Sequence, residues 1–514
     1  MKKLAVLLLV AISNIALAQN DGPIVKITNG TLQGVDEASG IHSFKGIPFA
    51  QPPVGDLRWK APQPPLDWDG VRHADHFGPQ AMQAPIYSDM QFRSAGKSED
   101  CLYLNVWTPA KTAKEKLPVL VYFYGGGFMA GDGSEYRYDG ESMAKKGIVT
   151  VTINYRLGIF GFFAHPELTK ESEHQSAGNY GLMDQHAALL WVQKNIAVFG
   201  GDPNHVTIAG ESAGSMSVCA QVASPLSKGL FVGAIAESGS VLGTFLPVPL
   251  SKAEDIGVKF TQKIGAISLE DMRKIPADSL LKLSAGSHFP SDIDGYFLPE
   301  SPKIIFDEGL EMHVPLLVGW NSAEVDYHGI LGNDAPTVSN YKTALQRLYN
   351  IHADDAFKYY PAATDSDVKV AATNLSADRF IVYNTWKFAQ MQAKTGEKPV
   401  YRYLFAHMRP AMVDGKRDGN TIGASHASEI EFALGNLATN KVYAWTDDDY
   451  KVSATMENYS ANFIKNGNPN GNHLAHWPTL QLNAPKAMVI DVDSHAEAVK
   501  DRDRYIWMDR VNSK

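Results

Sequence analysis

Val206-Thr207-Ile208-Ala209-Gly210-Glu211-Ser212-Ala213-Gly214, followed by Ser215 to Val222, is the stretch from which the fold is read. Val206 to Ala209 is a short β-branched, apolar run that ends at Gly210, the pattern of a buried strand. Ala213 to Val222 is rich in small residues and reads as a helix packed close to its neighbours. A serine in Gly-x-Ser-x-Gly between a strand and a helix sits on a sharp turn, and the flanking glycines let the backbone pass there without clashes. Such a turn leaves the hydroxyl open to a reactant, but a free serine hydroxyl is a poor nucleophile until a base takes its proton. Five-residue matches arise by chance, and a structural Gly-Ser turn is the bland alternative. The strand before and the helix after are what make Ser212 a candidate nucleophile.

Outward from this motif, Val119 to Phe123 reads as a buried strand that ends at Gly125-Gly126-Gly127, and Ile148 to Ile153 as another. Asp184 to Ile196 reads as a helix with Leu189, Val192 and Ile196 on one face. Later strand candidates are Ala234 to Ala236, Pro315 to Val318, Val400 to Phe405 and Met488 to Ile490. Strands alternating with helices imply a mostly parallel sheet covered on both faces. In that setting Tyr124-Gly125-Gly126-Gly127-Phe128 has a chemical use. Attack on a carbonyl carbon places negative charge on oxygen, and each backbone N–H held ready for it is worth about 3 kcal/mol. The donors assigned are Gly126, Gly127 and, after the serine, Ala213. A glycine triplet alone is more often a flexible turn; its place on a different strand ahead of Ser212 tips the reading. The base is harder to choose among 16 histidines. In strand-turn-helix hydrolases the chain order is serine, acid, histidine. His426, on a loop before Glu429-Ile430-Glu431-Phe432, is favoured only slightly over His407, which also follows a strand.

Composition excludes several classes. Of 514 residues 44% are apolar and 20% charged, with a formal net charge of -9, so a large core is possible and a nucleic-acid partner is not expected. Met1-Lys2-Lys3, the apolar run Leu4 to Ala18 and the small-x-small end Ala16-Leu17-Ala18 have the layout of a secretory leader cut after Ala18. The expected product is residues 19–514, one catalytic domain, exported to the periplasm or beyond, without a membrane anchor. Cys101 and Cys219, the 2 cysteines, are expected as buried free thiols. No His-Glu-x-x-His occurs and no phosphate or dinucleotide glycine loop has the right context, so neither a metal nor a cofactor is expected.

Together these segments resemble the type-B carboxylesterase family of the α/β-hydrolase fold, which includes the cholinesterases. Phe44 to Ala50, Pro52 to Arg58, Glu99 to Val106, Phe199 to Gly214, Asn462-Phe463, Gly467 to Gly471 and Trp477-Pro478 carry the resemblance in order along the chain. It implies a large, mostly parallel central sheet with helices on both faces, helical insertions around the active site, and a small-molecule ester as substrate. It also implies hydrolysis through an acyl-enzyme. Gly319 to Glu324 is similar to the segment with the family's triad acid, which makes Glu324 the acid, and Gly423 to Phe432 to the histidine segment, which makes His426 the base. Arg58 and Glu99 match a structural ion pair; Glu211, Ser238 and Glu429 match a buried polar network behind the triad.

Two departures matter. Many members bridge the cysteine matching Cys101 to one in a Cys-x-Gln segment, which here reads Ala81-Met82-Gln83, so the loop between is expected to rest on packing alone. That loop is short and lacks the tryptophan that binds choline in cholinesterases, so choline esters are not expected substrates. Ahead of Asp294-Gly295, Ala285 and Ser287 stand where cholinesterases wall the acyl pocket with phenylalanines, which implies a roomier pocket. The competing readings are a specialised hydrolase of a xenobiotic, feruloyl-type, lactone or amide substrate, and a binding protein of the kind that shares this fold but typically lacks a triad member.

Overall fold

Runs of β-branched and aromatic residues between glycine and proline breaks form the strands of one central sheet. The computed structural model describes residues 22–417 and 422–512; the expected leader, residues 1–18, lies outside the described residues. The sheet strands are β1 (Val35–Asp36), β2 (His42–Pro48), β3 (Tyr103–Thr108), β4 (Leu117–Phe123), β5 (Val149–Ile153), β6 (Gly201–Glu211), β7 (Gly233–Glu237), β8 (Leu316–Asn321), β9 (Val400–Phe405), β10 (Lys486–Ile490) and β11 (His495–Ala498). They form an 11-stranded sheet ordered β1-β2-β3-β5-β4-β6-β7-β8-β9-β10-β11. From β5 to β10 every pairing is parallel; β1 to β3 and β11 join antiparallel at the edges. Every residue of β5, β7 and β8 is buried, as a parallel sheet covered on both faces requires.

The strand expectations hold with small shifts of boundary. The expected helix over 184–196 is α1 (Tyr180–Asn195), with Leu182, Ala188, Leu189 and Val192 buried. Ile196 opens a tight 3-10 turn that ends at Gly200, whose φ of 80° closes the segment. Helix α2 (Ala213–Ala223) follows β6 and is buried at ten of its eleven residues. Its small side chains let it lie against the ends of β4 and β6. A Cβ on Gly214 would stand 2.0 Å from the Phe123 carbonyl oxygen, so no larger residue fits there. At one end of the sheet, a second hydrophobic cluster around Trp320, Tyr341, Trp386, Tyr505 and Trp507 joins α3 (Asp365–Ala377), α4 (Tyr383–Thr395) and the late helix α6 (Arg502–Asn512). Helix α5 (Asp447–Asn466) begins with a capping box between Thr446 and Asp449. Among the described residues no helix is long and apolar enough to cross a membrane.

Cys101 and Cys219 are both buried and free. The loop between Met82 and Cys101 does not rest on packing alone, which corrects the expectation. Gln83 exchanges hydrogen bonds with Gly131, at 2.8 and 2.9 Å. Arg93 donates from Nε to the Ser134 carbonyl at 2.7 Å and from Nη1 to Asp139 at 2.6 Å, and the Ser94 hydroxyl donates to Asp132 at 2.5 Å. These polar contacts tie the loop to the segment 131–139 while Cys101 stays a free thiol.

Arg58 and Glu99 meet as a two-pronged pair, both N···O distances 2.6 Å, with Arg58 only 5% exposed. Its remaining nitrogen donates to the carbonyls of Met272, Arg273 and Ile275, tying the N-terminal segment to a distant helix-rich insertion. Arg58→Ala strands Glu99 and three carbonyls. The expected loss is about 3 kcal/mol, read as a lower denaturant midpoint with the dependence on denaturant unchanged.

Candidate active site

Ser212 is the single residue between β6 and α2, with φ of 56° and ψ of -120°. A non-glycine residue pays for such a conformation, and it persists only where the surroundings fix it. Here the Ser212 N–H donates to the Glu237 carbonyl at 2.8 Å, and its own carbonyl accepts from the Met216 N–H at 2.9 Å. The turn has no room for a side chain at the first glycine: a Cβ on Gly210 would meet Gly214 backbone carbon at 2.5 Å.

Two neighbouring strand ends bring the partners. Glu324 lies three residues beyond β8. His426 lies on the long connection after β9, zipped to the Glu324 turn by the Ala323 N–H to the Ala424 carbonyl (2.9 Å) and the His426 N–H to the Glu324 carbonyl (3.0 Å). His426 Nε2 stands 2.9 Å from Ser212 Oγ, and Nδ1 stands 2.6 Å from Glu324 Oε2. Glu324 Oε1 accepts from the Ser238 hydroxyl at 2.6 Å and from the Asn321 N–H at 2.7 Å. Ser238 also reaches Glu429 at 3.2 Å, and Asn321 Nδ2 donates to the other Glu429 oxygen at 2.5 Å. His407, the rival on sequence, is spent elsewhere: one ring nitrogen pairs with Asp449 at 2.8 Å and the other with Asp491 at 3.0 Å.

Gly126, Gly127 and Ala213 border the same cleft as Ser212. Gly126 and Gly127 have φ of 103° and 64°, backbone that favours glycine. Among the described residues neither N–H finds a protein acceptor. Ala213 opens α2, so its N–H has no acceptor within the helix. Three N–H donors without protein acceptors beside one hydroxyl are an arrangement that can receive an oxyanion.

Buried carboxyls crowd behind the imidazole. Glu211 Oε1 is 3.2 Å from His426 Nε2, without the alignment of a hydrogen bond, and is otherwise unpartnered. Burial pushes Glu211 up to about 8, with Glu429 and Glu324 adding repulsion and His426 opposing it. Burial and the Glu324 charge push Glu429 up to about 7. Burial pulls His426 down, but Glu211 and Glu324 outweigh it and raise the imidazole to about 10. A Glu211 that keeps its proton removes one of those two charges, which lowers His426 again and frees Nε2 to accept. Glu237, opposite Glu211 in the β6–β7 register, is a further buried acid raised far up by burial. Sequence reading missed it, although an acid beside a serine on the next strand is a usable signal.

These shifts make stability depend on pH. An unfolded glutamate loses its proton near 4.3, the folded Glu211 near 8. Between the two the folded state holds the extra proton, so its contribution is complete below the lower value and fades as pH rises through the higher. The protein's Tm is expected to fall from pH 5 to 8, and Glu211→Gln to flatten part of that slope; parallel slopes refute the assignment.

The cleft measures about 540 Å³ and is walled by Tyr87, Met90, Phe128, Phe245, Leu246, Phe289 and Phe380, with Arg137 and Asp89 at one side. Ala285 is exposed and Ser287 half-buried on the turn after the helix Ala277–Leu283, and neither borders the cleft. The wall from that segment begins just after them, at His288 to Ser291, and includes bulky Phe289. The expectation of a wall at Ala285 and Ser287 is therefore displaced by a few residues.

A family model described as the carboxylesterase family matches residues 21–507. The chain belongs to the carboxylesterase family. As a carboxylesterase it is a carboxylic ester hydrolase of the α/β-hydrolase fold. It is 36% identical to the fumonisin B1 esterase of Sphingopyxis macrogoltabida, over 90% of this chain and 86% of that one. It is 34% identical to the para-nitrobenzyl esterase of Bacillus subtilis, over 91% of this chain and 94% of that one. Among solved structures, a Geobacillus stearothermophilus carboxylesterase superposes with a TM-score of 0.80 at 32% identity, covering 94% of this carboxylesterase and 99% of its counterpart.

Proposed function

We propose that this carboxylesterase works through an acyl-enzyme on Ser212. His426 Nε2 takes the hydroxyl proton as Ser212 Oγ attacks the ester carbonyl. The oxyanion sits among the N–H groups of Gly126, Gly127 and Ala213. Glu324 holds the proton on Nδ1 and stabilises the imidazolium. His426 returns the proton to the departing alcohol, then activates water for the second half of the cycle. What supports this reading above all is the unbroken chain of contacts from Ser212 Oγ to Nε2 (2.9 Å) and from Nδ1 to Glu324 (2.6 Å).

The apolar cleft favours uncharged ester groups of more than one kind. The names of relatives, fumonisin B1 esterase, para-nitrobenzyl esterase and cocaine esterase, support the same breadth. A para-nitrophenyl ester series read at early times tests the mechanism. A burst of nitrophenol equal to the enzyme present, with the acyl mass recovered on the Ser212 peptide, is expected; turnover without any acyl adduct after rapid quenching contradicts it. We further propose export, carried by residues 1–18. Protein collected from the cell envelope or medium is expected to begin at Gln19, and a product that keeps Met1 contradicts it.

A further inference from the structure

Helices α3 and α4 are nearly continuous, but one π turn, Asp378–Val382, interrupts them. The Tyr383 N–H reaches back five residues to the Asp378 carbonyl, so the helix widens by a residue. Such turns give up regular hydrogen bonding and occur often at functional sites. This one has a front and a back. Its front presents Phe380 and Ile381 to the cleft. The Phe380 ring stands edge-to-face on the His426 imidazole, centroids 5.1 Å apart at 80°, and meets Phe245 at 6.5 Å. Its back is staked to α6. Asp378 is 2% exposed, accepts from the Tyr360 hydroxyl at 2.8 Å and pairs with Arg504 at 3.1 Å. Arg379 donates to the Tyr349 hydroxyl at 3.1 Å, and the Thr385 hydroxyl donates to the Ile381 carbonyl at 2.9 Å. A buried carboxylate outside the cleft is thus held at two points on the same π turn that carries Phe380.

We propose that this π turn is the size filter of the cleft: Phe380 limits the bulk of the ester group lying against His426, and Asp378, Tyr360 and Arg504 act as positioning residues that set that limit from outside. The filter favours slender, unbranched groups on that side over branched or aryl ones. A wider or shifted turn moves Phe380 off the imidazole and admits them.

This rests on the reading of the cleft as the place of ester hydrolysis. The test is kcat/KM for two series, each normalised to active sites counted by the nitrophenol burst. One varies the acyl group (para-nitrophenyl acetate, pivalate, benzoate) and the other the alcohol (ethyl, benzyl and naphthyl acetate). Phe380→Ala is expected to raise the bulky-to-small ratio at least about tenfold in one series. Asp378→Asn and the gentler Tyr360→Phe, which leaves no buried charge unpaired, are expected to raise the same ratio about threefold, with the small ester nearly unchanged. A ratio unmoved by Phe380→Ala in both series overturns the filter. A ratio moved by Phe380→Ala but not by folded Tyr360→Phe and Asp378→Asn overturns the outside control. Wild-type protein with no turnover and no burst rejects the underlying reading instead.

Discussion

Ser212→Ala is expected to lower kcat about 10⁴- to 10⁶-fold while leaving Tm within a degree or two. The variant keeps the left-handed backbone of the turn, because alanine carries the same Cβ as serine. It also keeps the donors at Gly126, Gly127 and Ala213, so substrate binding is retained and the loss falls on kcat. Among the described residues, the side-chain hydrogen bond it loses is the one between the hydroxyl and His426 Nε2 at 2.9 Å. The checks are steady-state kinetics on a para-nitrophenyl ester, binding of a non-hydrolysable ketone analogue, and thermal unfolding. Turnover within tenfold of wild type removes Ser212 from the mechanism.

Glu324→Gln is expected to cost about 10⁴-fold in kcat with the fold intact. The reason lies in which way the new amide must face. The position of Oε1 receives the Asn321 N–H at 2.7 Å, and a backbone N–H can only donate. Glutamine satisfies it by placing its carbonyl oxygen there, which turns its NH₂ toward His426 Nδ1. Nδ1 must then accept, the ring proton moves to Nε2, and Nε2 can no longer take the proton of Ser212 Oγ. The imidazole stays in place with the wrong tautomer. A kcat drop without loss of the Ser212 to His426 geometry in a crystal of the variant is the expected signature. Near-normal kcat refutes the role of Glu324.

Much of the fold is legible in the chain because the signals are local. Ala234 to Ala236 and Leu316 to Val318 are buried throughout, so these apolar runs need no alternation, and glycine marks where several strands stop. The turn at Ser212 is legible for the same reason: Gly210 and Gly214 each face backbone at under 3 Å, and only glycine satisfies that. Other parts of the site are assembled from distant segments. Residues alone barely separated His426 from His407, since both lie on loops after the same strand; the contrast lies in what the folded chain sets beside each. The cleft walls at Tyr87, Phe245 and Phe380 come from three unrelated segments, and no spacing rule joins them. Counting back from Asp294-Gly295 put the wall on an exposed turn, because a few residues of slip in an irregular segment move a side chain from cleft to solvent. The stitches of Gln83, Arg93 and Ser94 are likewise long-range polar contacts invisible to periodicity.

The φ of 56° at Ser212 has a practical reading for anyone evolving this protein. On the proposed mechanism, reactivity is mounted on the residue whose backbone conformation glycine adopts most easily. A library sorted only for survival at high temperature therefore rewards copies that have discarded the nucleophile, and robustness and turnover have to be selected together. The hottest survivors of a stability-only screen are the ones to assay first for silence.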